Sequence, residues 1–265
     1  MKRIGRVLAL VLALTMLAGL FSCGKSETKD LLEEIRERGS ITVATEGDWM
    51  PWTYHGDDGA LTGFDVELAK EIGKALGVDV KFEETAWDSI LAGVDAGRFD
   101  IACNGVSYTD ERAEKYSFST PYAYTGAVIV VRSDNDSIKS IEDLTGKTTA
   151  NTASSTYASM AEEAGASVTP VDSLVDTLNL VMDGRVDATL NARVTVEAYL
   201  AEHPDAPLKI AGDVPGEQMV IPLQKNARTE SLLREIDRIL EEMRGNGKLA
   251  ALSEKYFGED LTEPR

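Results

Sequence analysis

Residues 97–104 read Gly-Arg-Phe-Asp-Ile-Ala-Cys-Asn, and residues 184–191 read Gly-Arg-Val-Asp-Ala-Thr-Leu-Asn, 87 positions later. A helical pattern precedes each stretch, the stretch begins with a glycine, and a short apolar run follows. This order predicts a helix followed by a β-strand. Two units of this kind predict two similar α/β lobes. Taken alone, the Gly-Arg-x-Asp motif could mark only a helix end, so the interpretation depends on the elements around it.

Helical and strand patterns alternate around both stretches, which predicts an α/β fold with parallel-rich sheets. Asp65, Thr85 and Ser107 are predicted to cap the helices that follow them. Strands are predicted over residues 41–45, 78–82, 99–103, 127–131, 147–151 and 186–190. In open α/β sheets, ligands bind beyond the carboxyl ends of the strands, so two facing lobes predict a cleft lined by Asn104 and Asn191.

Composition excludes several classes of protein. The 265 residues are 43% hydrophobic, which argues against global disorder, and 27 Lys plus Arg against 45 Asp plus Glu give a net charge of −18. A field of that sign repels phosphate backbones, so no nucleic-acid partner is expected. Cysteines and histidines number only two each, and no HExxH, Walker or GxGxxG pattern is present, so the common zinc and nucleotide sites are not indicated. Neither a metal nor a cofactor is therefore predicted.

The N-terminus has the pattern of a targeting segment. A basic start precedes an apolar run over residues 7–20, and these 14 residues are too short to span the ~30 Å of a bilayer core. The sequence Leu-Phe-Ser-Cys ending at Cys23 resembles a bacterial lipobox. We therefore predict a signal peptide over residues 1–22, lipidation of Cys23, and an anchor and tether over residues 23–40. The alternative is simple secretory cleavage with Cys23 incidental. Cys103 is expected to be a buried, inert thiol.

Two segments are candidates for binding a carboxylate. Arg112 lies beside a predicted helix start, where a bidentate cation and free backbone N–H groups come together. Residues 153–157, Ala-Ser-Ser-Thr-Tyr, place small hydroxylated side chains between a strand and a helix. The alternatives are a surface arginine paired with its acidic neighbours and an ordinary N-cap.

Aromatic and acidic side chains lie together after the first strand. Glu46 and Asp48 lie three residues and one residue before Trp49. Trp87 begins a later helix near another strand end. Indole rings at these positions could flank an apolar or cationic ligand stem. Trp52 is instead expected in the core.

Several motifs together resemble one family, and the resemblance extends over residues 41–258. They resemble the family 3 extracellular solute-binding proteins, which are the polar amino acid receptors of ABC importers. Residues 151–158 and 187–191 are most similar to the cystine-binding branch. The motifs are residues 46–52, 61–66, 97–100, 109–112, 118–122, 140–147 and 184–191.

The resemblance implies a periplasmic binding protein type II fold, with two lobes, a mixed sheet flanked by helices in each, and the ligand cleft between them. It places the first lobe in residues 41–125 and 219–258, the second in residues 126–218, and a tail in residues 259–265. It implies that Arg112 binds the ligand carboxylate with Ser107, Ser155 and Thr156. Trp49 and Trp87 would flank the side chain, and Gly105 would offer its carbonyl to the ligand ammonium.

The sequence departs from the family at Ala192, where the resemblance leads us to expect an aspartate that pairs with the ammonium. Three explanations stay open: Glu46 or Asp48 replaces that aspartate, the ligand has no ordinary α-ammonium, or affinity is low.

The function implied is that of a monomeric, lipid-anchored, extracytoplasmic receptor that binds an amino acid and delivers it to a permease with its ATPase. No catalysis is expected. The alternatives are an enzyme similar to cyclohexadienyl dehydratases, which share the fold, and a ligand-sensing protein.

Overall fold

The structure, a computed structural model, describes residues 29–264, without the side chain of Pro215. The predicted signal peptide and Cys23 lie outside these residues. The described helices, in chain order, are α1 Leu31–Arg38, α2 Phe64–Leu76, α3 Trp87–Asp95, α4 Asp110–Lys115, α5 Thr156–Glu163, α6 Leu174–Met182, α7 Arg193–Glu202, α8 Glu230–Gly245 and α9 Lys248–Phe257. The strands are β1 Ser40–Thr45, β2 Asp48–Trp49, β3 Thr53–His55, β4 Leu61–Thr62, β5 Asp79–Glu84, β6 Ile101–Ala102, β7 Tyr116–Phe118, β8 Ala123–Arg132, β9 Thr148–Asn151, β10 Ser167–Pro170, β11 Ala188–Ala192, β12 Leu208–Met219 and β13 Pro222–Gln224.

The first lobe is built on a three-stranded sheet in the order β5-β1-β6, with all pairs parallel. Val43 lies opposite Phe82 on one side and Ile101 on the other. Two smaller antiparallel sheets, β2-β3-β4 and β13-β7, lie beside it. Helices α8 and α9, near the C-terminus, pack against α1 and α2 of this lobe. The first lobe is therefore made from both ends of the described chain.

The second lobe is built on a mixed sheet in the order β10-β9-β11-β8-β12. Strands β10, β9 and β11 are parallel, whereas β8 runs antiparallel to both β11 and β12. The predicted strand over residues 127–131 is fully buried, as expected for a β-branched run at the centre of a sheet.

Strands β8 and β12 form a two-stranded ribbon that connects the lobes. At its far end Met219 pairs with Ala123 and makes an isolated bridge to Ser107. The backbone N–H of Val220 then donates to the carbonyl of Val106 at 2.9 Å. The ribbon therefore joins the two lobes, and we call it the hinge ribbon.

The repeated motif has the same structure in both lobes. Gly97 and Gly184 both adopt a left-handed conformation, at φ 68° and 66°, and end their helices. Asp100 accepts a hydrogen bond from the backbone of Thr42 at 2.7 Å, and Asp187 accepts one from Thr148 at 2.8 Å. Each aspartate thus joins the start of its strand to the neighbouring strand. The repeated Gly-Arg-x-Asp motif therefore has the same structural role in both lobes.

Three predicted helix caps are wrong. Helix α2 begins at Phe64 with Gly63 at its N-cap, and Asp65 is a fully buried residue of its first turn. Helix α3 has Ala86 rather than Thr85 at its N-cap, with no side-chain hydrogen bond there. Helix α4 is capped by Thr109, whose side chain accepts from the backbone of Arg112 at 3.1 Å, and not by Ser107. In two of these cases tertiary contacts outcompete the local pattern, because Asp65 and Ser107 bond to distant residues.

Candidate functional site

A cavity of about 510 Å³, partly open to solvent, lies between the two lobes. Its lining contains eight of the ten predicted binding residues and adds five others. The residues that line it are Glu46, Asp48, Trp49, Trp87, Gly105, Ser107, Thr152, Ser155, Thr156, Tyr157, Ser173, Leu174 and Asn191. Asn104 and Arg112, the other two predicted residues, lie outside the lining.

Asn104 acts behind the cavity wall. Its side-chain amide donates to the Glu46 carboxylate at 2.6 Å, and its carbonyl oxygen accepts from the Glu46 backbone at 2.8 Å. The strand-ending asparagine of the first lobe therefore positions Glu46 and leaves the contact with the cavity to that carboxylate.

Two carboxyl groups make this side of the cavity acidic. Burial raises the pKa of Glu46 to about 7. The hydrogen bond from Asn104 opposes this rise, and the negative charge of Asp48 adds to it. Burial also raises the pKa of Asp48. Desolvated carboxylates of this kind are relieved by a cation, because an opposite charge restores the solvation that burial removes. This side of the cavity is therefore suited to an ammonium or guanidinium group.

Trp49 spans the cleft. Its ring stacks on Trp52, with centroids 5.4 Å apart and planes at 12°, and its indole nitrogen donates to the Asn191 carbonyl oxygen at 3.1 Å. Asn191 is the strand-ending asparagine of the second lobe. It accepts a hydrogen bond from the opposite lobe, whereas Asn104 bonds to Glu46 within its own lobe. Trp52 is fully buried, which confirms its expected place in the core.

Gly105 packs directly against the Trp49 ring, where no larger residue fits. A Cβ atom on Gly105 would lie 2.4 Å from the Trp49 ring, and its φ of +53° falls in the left-handed region. The Gly105 N–H donates to the Asp65 carboxylate, which also accepts from the Tyr122 hydroxyl at 3.1 Å. Complete burial raises the pKa of Asp65 to about 7. Asp65 thus fixes the loop that carries Gly105.

The second lobe contributes the start of helix α5. Ser155 caps this helix, accepting from the Ala158 backbone at 3.1 Å while its hydroxyl donates to the Thr152 carbonyl at 2.7 Å. Ser154 contacts the first lobe: its backbone N–H donates to Asp88 at 3.1 Å, and its hydroxyl bonds to the same oxygen. The predicted hydroxyl segment therefore serves as an N-cap, as a cavity wall and as a contact between lobes.

Arg112 also reaches across the cleft. Its guanidinium donates to the backbone carbonyls of Ser107 at 2.8 Å and Ser154 at 3.0 Å, and it lies 5.5 Å from the centre of the Trp87 ring. Burial lowers the pKa of Arg112, and the charge of nearby Glu217 opposes that effect. The alternative of a simple surface pair with its acidic neighbours does not describe this arginine.

Glu217 was not predicted from the sequence. Its carboxylate accepts hydrogen bonds from the hydroxyls of Ser107 at 2.6 Å and Thr156 at 2.5 Å. The signal that could have revealed it is an acidic residue separated only by Gln218 from the apolar run of residues 219–223.

Within residues 29–264, no group of His, Cys, Asp and Glu side chains is arranged to hold a metal ion. No helix in the same range is long and apolar enough to cross a membrane. Cys103 is a free, buried thiol whose pKa is raised by burial, as the sequence predicted.

Comparison with known proteins gives a family match over most of the chain. Residues 41–259 match the model of the bacterial extracellular solute-binding proteins, family 3. The L-cystine-binding protein TcyA of Bacillus subtilis strain 168 is 37% identical over 270 residues, covering 99% of this chain and all of that protein.

Two solved structures of amino-acid-binding proteins are similar to this chain. An ancestral arginine-binding protein bound to arginine gives a TM-score of 0.77 at 37% identity, over 83% of this chain and 99% of that one. The L-cystine solute receptor of Neisseria gonorrhoeae, unliganded and open, gives 0.59 at 39% identity, over 88% and 99%. The lower score comes with the higher identity. The chain thus resembles the arginine-bound structure more, in agreement with its own contacts across the cleft.

Proposed function

Because the chain belongs to the bacterial extracellular solute-binding proteins of family 3, we propose that it binds an amino acid between its two lobes and presents it to the permease of an ABC importer. Solute-binding proteins of these importers bind amino acids and interact with permeases. Closure of two lobes around a ligand gives the permease a state to recognise without any chemical step.

The observation that carries the proposal is the distribution of polar groups around the cavity. Glu46 and Asp48 suit a cationic group at one side, and the Ser107 and Thr156 hydroxyls suit an anionic group at another. A zwitterionic amino acid matches both. Its carboxylate would be held by these hydroxyls with the charge of Arg112 behind them.

The middle of the ligand would lie along the indoles. Trp49 and Trp87 line the same cavity as the acidic and hydroxylated groups. Indole faces favour aliphatic, sulfur-containing or cationic stems. We propose a polar amino acid as the ligand, with cystine the first candidate, because the relative from B. subtilis is named for cystine. Arginine is the second, because an arginine-bound structure is similar.

The N-terminal predictions complete the proposal. Lipidation of Cys23 would hold the protein on the outer face of the cell membrane, with residues 24–28 as a tether to α1 of the first lobe. We propose that it acts there as a monomer, with the permease and its ATPase as partners and without a cofactor.

A thermal-shift panel of amino acids tests the binding proposal. A ligand at 100 times its Kd stabilises the folded state by ~2.7 kcal/mol, which should raise Tm by roughly 5 to 10 °C. Isothermal titration of the ligands that shift Tm gives Kd and stoichiometry. No shift with any of the twenty common amino acids or with cystine would refute the proposal.

Glu46 favours a second candidate function, that of an enzyme. A buried carboxyl with a pKa of about 7 in a cleft has the protonation behaviour of a general acid or base. An enzyme that eliminates water from a carboxylate ligand would use such a group. Mass spectrometry of the ligand recovered after prolonged incubation separates the two functions: an unchanged ligand supports the receptor, and loss of water that depends on Glu46 supports the enzyme.

A further inference from the structure

Glu217 is a buried carboxylate in an unusual place, the hinge ribbon. It lies opposite Thr125 directly after a register shift between Val214 and Glu217, and it is 7% exposed. Register shifts of this type turn a side chain away from the regular alternation of a strand. Here the shift accompanies an acidic side chain that lies in the interior, where an unpaired charge is costly.

The partners of this carboxylate come from both lobes. Ser107 of the first lobe and Thr156 of the second both donate to the same oxygen, Oε1, at 2.6 and 2.5 Å. The charge of Arg112 also acts on it, and the Tyr157 hydroxyl adjoins it, with its pKa raised well above the usual value by burial and then by Glu217. The second oxygen, Oε2, has no hydrogen-bond partner among the described residues.

This environment is that of a bound carboxylate. Two hydroxyl donors converge on one oxygen that also feels the charge of the Arg112 guanidinium, and hydroxyl donors with a cation are a combination that stabilises an anion. The residues that carry these hydroxyls, Ser107 and Thr156, also line the cavity between the lobes. One donor set therefore faces two possible acceptors, the internal Glu217 and a carboxylate that enters the cavity.

We propose that Glu217 is an internal occupant of the carboxylate subsite, which an incoming ligand carboxylate must displace. This rests on the proposed function, since it assumes that the ligand brings a carboxylate to the cavity. Without ligand, Glu217 neutralises Arg112 and joins the lobes through Ser107 and Thr156. With ligand, the ligand carboxylate takes over the hydroxyls, and Glu217 turns toward solvent along the hinge ribbon.

Two consequences follow for ligand selection. The apparent affinity is reduced by the fraction of molecules in which Glu217 holds the subsite. A ligand without a carboxylate gains nothing by displacing Glu217, because the donors and Arg112 would then lack an acceptor. Glu217 therefore favours amino acids over the corresponding amines.

The test compares Glu217→Ala and Glu217→Gln with the wild type and with Glu202→Gln, an exposed position on α7. Isothermal titration with L-cystine, L-arginine and L-glutamine measures affinity, and small-angle X-ray scattering without ligand measures lobe separation. We expect Glu217→Ala to lower the Kd of each amino acid that binds by about tenfold. It should also increase the radius of gyration of the free protein. Glu217→Gln, which keeps Oε1 but loses the charge, should lie between the two, and Glu202→Gln should match the wild type.

Equal or weaker binding by Glu217→Ala would overturn the proposal. Weaker binding with unchanged scattering would instead make Glu217 a direct partner of the ligand ammonium. If Glu217→Ala fails to fold, as judged by its melting transition, the glutamine variant decides alone: tighter binding supports the proposal and unchanged binding rejects it. If no amino acid binds to any of the proteins, the proposed function fails, and scattering still shows whether Glu217 joins the lobes.

Discussion

Arg112 has two roles to test at the cleft, since its guanidinium holds carbonyls of both lobes and its charge would act on the proposed carboxylate subsite. Arg112→Ala should raise the Kd for the amino acid ligand by at least about 30-fold, because a carboxylate in a closed cleft loses its cation. Isothermal titration measures the change. Arg36→Ala, on the surface of α1, is the control and should bind normally. Wild-type affinity in Arg112→Ala would move the carboxylate site elsewhere.

Asp65 makes a prediction about pH. Its pKa is raised from 3.8 to about 7 in the folded protein, so between these values the folded state keeps a proton that the unfolded state has lost. The contribution of Asp65 to stability therefore falls as pH rises through that window. Asp65→Asn keeps a carbonyl acceptor for Gly105 and Tyr122 but cannot ionise.

The Tm of Asp65→Asn, relative to the wild type, should rise by roughly 5 °C between about pH 5 and pH 8. Taking the difference between the two proteins cancels the other titrating groups, Glu46 included. Calorimetry across the pH range measures it. A difference that does not change with pH would mean that Asp65 is ionised throughout.

At the scale of elements, the loop between β6 and α4 depends on Gly105. Gly105→Ala would force its Cβ into Trp49 and so disturb the bond from Trp49 to Asn191. We expect it to lower the free energy of unfolding by about 2 kcal/mol more than Gly247→Ala, and to weaken ligand binding. Gly247 has a similar positive φ, +76°, with nothing within 4 Å of its Cβ position, so it isolates the backbone cost. Urea denaturation of both variants measures the difference, and equal losses would show that Trp49 adapts freely.

The elements also show what a single sequence can predict. Glycines and apolar runs placed the repeated helix and strand correctly, because both signals are local. The three caps failed because a pattern cannot show that Asp65 reaches Gly105, which is 40 residues away in the chain. Glu217 escaped prediction for a related reason: its role depends on a register shift in β12 and on hydroxyls from both lobes.

At the scale of the whole molecule, the N-terminal prediction concerns where the protein acts. Cys23→Ser should release it from the membrane pellet into the soluble fraction of the cells that produce it, because the proposed lipid anchor would be attached through that thiol. Fractionation followed by a salt wash measures this, with Cys103→Ser as the control that leaves the pattern unchanged. Retention of Cys23→Ser in the washed pellet would reject the lipobox assignment.

The three tryptophans of the chain all belong to the first lobe, and they respond unequally to the state of the cleft. Trp52 is fully buried in the core, whereas Trp49 is 9% exposed and bonded to Asn191 of the opposite lobe. Separation of the lobes would break that bond and admit water to one indole while leaving its stacked neighbour dry. Indole emission moves to longer wavelength in water, so we expect an open form to have its fluorescence maximum at longer wavelength than a closed form. If the lobes close on the proposed ligand, the protein contains its own optical reporter, and a dye-free sensor would need no addition to the natural chain.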